Sequence, residues 1–415
     1  MMQAVLRRAF AFSIVGLALA ACGLDVVGSL APDGGADGST LGDGSVGPGS
    51  DDSSTSPGDG GVPNPDAGAA VLPSVVPGAL LDPDAGDLTG LQAVDTTSLS
   101  VDIGAGLTTT LPAGVHFAVA DAGASGVAVL SVGAMIVDHA VAVSGTRPLV
   151  ILAAQKVSLS QVIDVSAKGL APGPGGYGPG LGPGAGGNGK PQSGGSDNSG
   201  GGGGGHGALG ASGGDTSTGV LGGTAGAMYS MPLVGGSGGG RGDPVACSNS
   251  GGAGGGALQV FSAVEIAVNA GGGIRAGGGG GAAGCEIDSS NVTSGAGGGA
   301  GGWVLLEAPR ITVSGTVAAN GGGGGGGASG GTGNGGPGEN GVYGTRQADG
   351  GTGAIANREG GRGGSVLGPA QKAPIGTNCG AGGGAVGRIV FHTRGDAIFL
   401  DGGTVSPPAT HDGGL

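Results

Sequence analysis

Apolar residues fall on alternate positions in short bursts along this chain, and glycine fills the intervals between the bursts. The clearest burst covers residues 302–320. Ile311, Val313 and Val317 recur there with Thr312, Ser314 and Thr316 near them, a turn falls at Ser314 and Gly315, and a glycine run over 321–327 ends the phrase. Residues 149–160 and 258–269 match residues 303–314 with no gap, and a looser copy spans 389–405 with Ile398 and Leu400 in the places of Ile311 and Val313. Residues 141–146 echo 311–316, which predicts one more copy before Arg147. Period-two alternation bounded by turn residues is a strand signal, also present at 98–103, 115–119 and 127–143.

Units of about twenty residues cannot bury their own apolar face, so they stack until neighbours complete the core. The expected fold class is therefore all-β, a parallel β-helix or solenoid whose rungs (257–276, 302–320 and 386–405) are separated by glycine-rich inserts. Inward positions are Val157, Leu159 and Ile163; Ile266, Val268 and Ile274; Ile311, Val313 and Val317; Ile398, Leu400 and Val405. Lys156, Glu265 and Arg310 share one repeat position, so they are predicted to face outward and stack with alternating sign. The alternative is an antiparallel β-sandwich built mainly from residues 91–167, followed by a disordered glycine-rich tail. The inserts (169–256, 277–301 and 321–384) are either free loops, costly to order, or extended polyglycine-II strands packed closely because no Cβ intervenes.

Composition sharpens this division. Glycine supplies 112 of 415 residues, aromatics 2% and charged residues 11%, too little bulky material for a core along the whole length. The organisation read from the sequence is a signal peptide (1–21), a disordered acidic tether of Gly, Asp, Ser and Pro (22–90), a β-rich first part (91–168), and rungs with inserts (169–415). The tether is self-repelling and proline-broken, and should stay extended. Of the 15 basic residues, Arg7 and Arg8 leave with the signal peptide, so the mature chain sets 13 against 29 acidic residues, about −16. That balance argues against a nucleic-acid partner.

The N-terminus combines Arg7 and Arg8, an apolar run over 9–20, and the ending Leu19-Ala20-Ala21-Cys22-Gly23. The run is too short to span a bilayer and reads as a secretory signal. Its ending resembles the lipobox of bacterial lipoproteins. The resemblance implies cleavage between Ala21 and Cys22 and acylation of Cys22, with a membrane partner engaged through N-terminal acyl chains. Cys247, Cys285 and Cys379 lie in the inserts. In an oxidising compartment, Cys247 with Cys285 is the first pairing and Cys285 with Cys379 the second.

Glycine-rich sequence generates false motifs. Residues 184–190 spell Gly-x-x-x-x-Gly-Lys, yet Pro191 replaces the hydroxyl that would hold magnesium. Residues 210–214 and 327–331 fit Gly-x-Ser-x-Gly without a strand-to-helix elbow. Arg241-Gly242-Asp243 is an adhesion-type tripeptide. His116, His139, His206, His392 and His411 show no ligand spacing with Cys, Asp or Glu, and Asp138 with His139 reads as a half-exposed strand pair. The sequence thus nominates no catalytic residue, no metal site and no cofactor.

The whole pattern resembles the glycine-rich surface lipoproteins abundant in myxobacteria and their relatives, and the glycine tracts are similar to mycobacterial PE-PGRS domains in composition only. The resemblance implies a cell-envelope location, in the outer membrane or at the cell surface, and supplies no activity. The expected function is a lipid-anchored envelope protein with a structural or adhesive role, its partners polysaccharide or other envelope components. The alternative is a carbohydrate-binding or polysaccharide-degrading β-helix protein.

Overall fold

The computed structural model describes residue 74 and residues 80–121, 126–191, 197–229, 233–243, 249–393 and 397–412. The chain divides into two units, Met1–Asn64 and Pro65–Leu415, and every described residue belongs to the second. Residues 1–73, which hold the expected signal peptide, lipobox and most of the tether, lie outside the description. No helix among the described residues is long and apolar enough to cross a membrane.

The described residues form an all-β unit of three sheets. Strands β1 (Ala93–Asp95), β2 (Ser100–Asp102) and β3 (His116–Ala120) lead in. Five triplets follow: β4 (Val127–Val132), β5 (Met135–Val137), β6 (Val141–Ser144); β7 (Leu149–Ala153), β8 (Val157–Leu159), β9 (Val162–Asp164); β10 (Ala257–Ser262), β11 (Ile266–Val268), β12 (Gly273–Arg275). The last two are β13 (Trp303–Glu307), β14 (Ile311–Val313), β15 (Thr316–Ala318), and β16 (Arg388–His392), β17 (Ile398–Leu400), β18 (Thr404–Ser406); β19 (Thr410–Asp412) closes the series. The three members of each triplet go to three different sheets, so each sheet takes every third strand. The long-strand sheet runs β19-β16-β13-β10-β7-β4-β3, the middle sheet β17-β14-β11-β8-β5, and the third β18-β15-β12-β9-β6-β1-β2. Antiparallel pairing joins only β1 with β2 and β3 with β4; every other strand pair is parallel. The antiparallel sandwich over 91–167 therefore does not form, because β4, β5 and β6 pair in parallel with β7, β8 and β9 of the next triplet.

The register explains which side chains make the core. Val157, Ile266, Ile311 and Ile398 are successive partners across the middle sheet, and Ile163, Ile274, Val317 and Val405 across the third. They join Leu149, Ile151, Leu258, Val260, Val304, Leu306, Ile389 and Phe391 of the long-strand sheet in one core. The outward ladder forms too: Glu265 sits 3.0 Å from Lys156 and 3.6 Å from Arg310.

Four sequence expectations are corrected. Leu149 and Leu258 pair with each other, and Leu258 pairs with Val304, not Trp303. Val304 lies one residue closer to its middle-strand Ile311 than Leu149 lies to Val157 or Leu258 to Ile266, so the gapless match slips by one in the first strand. A slip of one exchanges the two faces, and Trp303 and Leu305 accordingly join a second cluster with Val150, Leu152 and Phe261 on the opposite face of the long-strand sheet. Val141–Ser144 does belong to an extra triplet, but it stacks on Ile163, the Val317 position, and Met135 takes the Ile311 position. Leu400 is 53% exposed, because β17 is the edge of its sheet and no further strand covers it. Finally, the ordered unit reaches back before residue 90: Leu88 is buried and bridges to Met135, with its N–H bonded to Ala134.

The inserts are ordered by their own backbone. All of residues 321–327 are buried. The N–H groups of Gly321, Gly324 and Gly327 donate to the carbonyls of Gly364, Gly361 and Arg358; those of Gly322 and Gly325 to Gly299 and Ala296; those of Gly323 and Gly326 to Glu339 and Gly336. The carbonyls of the same tract accept from Gly384 and Ala381, from Gly281 and Gly284, and from Gly351 and Ala354. Every third residue meets the same neighbour, the periodicity of a backbone with three residues per turn. One tract thus touches six others, and the free-loop alternative is excluded for it. A Cβ on any residue of 321–327 would stand 1.7–2.2 Å from a carbonyl oxygen, so glycine is what the spacing demands. Residues 200–205 repeat the arrangement, bonding to 184–187, 211–214, 295–298 and 382–385, so all three inserts join one network.

Candidate functional site

Of the residues nominated from sequence, Ala21, Cys22 and Cys247 lie outside the described residues. Cys285 is disulfide-bonded. Cys379 is a free, buried thiol whose Sγ donates to the Asp215 carbonyl at 3.1 Å. Burial pushes its pKa up to about 11, which keeps it protonated and unreactive at neutral pH. Among the described residues no group of three or more His, Cys, Asp or Glu is placed to hold a metal ion.

Asp138 and His139, 2.9 Å apart, are exposed beyond the end of β5 and not within a strand, because β5 stops at Val137 where its pairing with β8 stops. The Arg241-Gly242-Asp243 tripeptide is knitted into the glycine network. The Gly242 N–H donates to Asn249, a Cβ there would meet the Ser294 carbonyl at 2.3 Å, and Asp243 exchanges backbone and hydroxyl bonds with Ser294. Of the three, only Arg241 is exposed.

Two polar groupings escaped the sequence reading. The first is on the second face of the long-strand sheet. Glu307 is fully buried, and its carboxylate accepts from the Ser74 N–H, from the Gln259 amide and from His392 Nδ1 at 2.9 Å. Phe261, Glu307 and His392 are successive partners across β10, β13 and β16. The signal was present: in Trp303-Val304-Leu305-Leu306-Glu307 the acid continues the apolar Trp303 and Leu305 face. Three donors on one buried carboxylate make it a structural anchor for the segment at Ser74. At the other end of β13, His206 lies buried with its ring 6.0 Å from Trp303 and 4.7 Å from Tyr229, and Nδ1 bonded to the Gly301 carbonyl at 2.8 Å. Burial lowers its pKa to about 4, so the imidazole is neutral.

The second grouping is a surface cleft of about 320 Å³ on the outer face of the third sheet. Ala142, Asp164 and Arg275 are in-register partners on β6, β9 and β12, and Val162 lies one pleat away. Their neighbours Val141, Ile163 and Ile274 point into the core, so alternation sends Ala142, Asp164 and Arg275 outward. The wall comes from the last insert. Tyr343 donates to the Gly272 and Thr316 carbonyls, and its hydroxyl occupies space that Gly273 leaves open: a Cβ there would stand 2.1 Å from it. Arg275 Nη2 donates to the Gly341 carbonyl, while its Nε is buried without a partner. Asp164 accepts the Ser166 N–H through Oδ1. The result is an apolar floor with one cation and one anion side by side, fixed by strands and by the insert, and no nucleophile or general-base pair within it.

No protein-family model matches the chain, and no significant match is found among curated proteins or solved structures.

Proposed function

We propose that this protein is a lipid-anchored cell-envelope scaffold with a structural or adhesive surface role and no catalysis. In this reading its strand triplets form a parallel β-solenoid, and its inserts form a polyglycine-II bundle alongside. The observation that carries the reading is the six-neighbour hydrogen bonding of residues 321–327. A chain spends ordering entropy on buried glycine only if the product is worth having, and this product is a stiff block built mostly of backbone. Such a block has little chemistry to offer a substrate and much rigidity to offer an envelope. The lipobox resemblance at Leu19 to Cys22 supplies the anchor.

The anchor is tested by Cys22→Ser. Labelled palmitate should enter the parent protein and not the variant, and the variant should leave the membrane fraction. Unchanged membrane partitioning with no label in either form would remove the lipid anchor from the proposal.

A further inference from the structure

We infer that the cleft formed by Ala142, Val162, Asp164, Arg275 and Tyr343 is a recognition site for a single neutral sugar ring, such as a terminal or internal hexose of a surface polysaccharide. This goes beyond the scaffold reading and needs neither the anchor nor the bundle to be as proposed.

The argument begins with size. A cleft of about 320 Å³ is at the small end of ligand sites, and it suits one six-membered ring better than an extended peptide. Its floor spans neighbouring strands, roughly 5 Å apart, so β6 and β9 together offer a patch as wide as a pyranose. Ala142 and Val162 give that patch an apolar surface, which suits the C–H face of a sugar. The polar groups stand at one side, where hydroxyls at the ring edge would reach them. Asp164 supplies acceptor oxygens, and Arg275 supplies donors; a vicinal diol presents both roles at once.

Charge decides between neutral and acidic sugars. Arg275 is not alone: Asp164 adjoins it in register. Glu339 stands near enough that Arg275, after Arg346, helps hold its carboxyl below the ordinary range. Two carboxylates already share the field of this guanidinium. A uronate carboxylate entering the cleft would add a third, whereas a neutral ring adds none. The arrangement is also formed in advance. Tyr343 is held by two carbonyls and Arg275 by the Gly341 carbonyl, so little ordering remains to be done on binding.

The test uses the full chain carrying Cys22→Ser, so that no acyl chain complicates titration. Methyl glucoside, methyl galactoside, methyl mannoside and glucuronate are titrated separately by calorimetry or ligand-observed NMR. At least one neutral glycoside should saturate with a Kd on the order of 1 mM, and glucuronate should bind at least tenfold more weakly. Ala142→Leu, at an exposed position, fills the floor and should weaken binding about tenfold or more. Asp164→Asn keeps the bond to Ser166 and removes the charge, and should do the same without lowering the melting temperature. The inference is overturned if no neutral glycoside saturates, if glucuronate binds as well as the best of them, or if both variants bind like the parent. Failure here leaves the scaffold reading standing, since that is read by membrane partitioning.

Discussion

The sheets and the glycine bundle solve one problem by opposite means. In the sheets, Val, Ile and Leu from all three sheets pack into one core, and stability comes from side chains removed from water. Within glycine runs such as 321–327 no side chain is admitted; backbones approach until each N–H finds a carbonyl on another tract. The sheet core tolerates a change of shape better than a loss of volume, and the bundle should behave the other way round. Subtraction injures the first, addition the second. What the contrast teaches is that glycine abundance here marks close packing, although composition alone would be read as disorder.

Three measurements can break or sharpen that contrast. The largest effect is expected from Leu306→Ala, which empties a fully buried position in the sheet core. It should cost about 2–5 kcal/mol in denaturant unfolding; a loss below about 1 kcal/mol would mean the core is not packed as described. Next comes the seam between the two regions, where His206 from the bundle meets Trp303 of the sheet. Its folded pKa of about 4 lies below the ordinary 6.5. The imidazole is neutral in both states above pH 6.5, so its stabilising contribution is complete there. As pH falls from 6.5 towards 4 the unfolded chain takes up the proton first, and about 3 kcal/mol is lost across that window. His206→Gln should flatten the stability profile between these pH values relative to the parent, and parallel profiles would place the imidazole in water. The smallest effect is expected from Gly325→Ala, whose Cβ would stand 2.0 Å from the Ala282 carbonyl. It should cost about 1–3 kcal/mol. Gly331→Ala is the control: nothing lies within 4 Å, and only its φ of +76° opposes the change, at about 1 kcal/mol. Equal costs at the two positions would argue against a crowded bundle.

Much of the sheet architecture was legible because period-two alternation in 149–160, 258–269 and 302–320 is imposed by the pleat itself. The middle strands β8, β11, β14 and β17 were placed correctly by Val157, Ile266, Ile311 and Ile398. The first strand was misplaced by one because its two faces are both apolar: where Trp303, Val304, Leu305 and Leu306 are all buried, hydrophobicity does not say which pair points inward. Leu400 looked like core because a repeat pattern does not announce its own last member. The bundle was only half legible. Sequence showed that glycine tracts could pack, but which tract lies beside which depends on backbone bonds that no side chain encodes. The Glu307 anchor and the cleft were missed for a related reason. Each joins residues from separate triplets or inserts, such as Asp164, Arg275 and Tyr343, whose proximity follows from the stacking order and not from any local spacing.

The threefold bonding of residues 321–327 has an evolutionary corollary. Because a residue three places on returns to the same neighbour, removing one residue from such a tract turns every later N–H by a third of a revolution, away from its acceptor. Removing three leaves all of them aimed as before. Gene variants that lengthen or shorten these runs should therefore persist when they gain or lose codons in threes, and be purged otherwise.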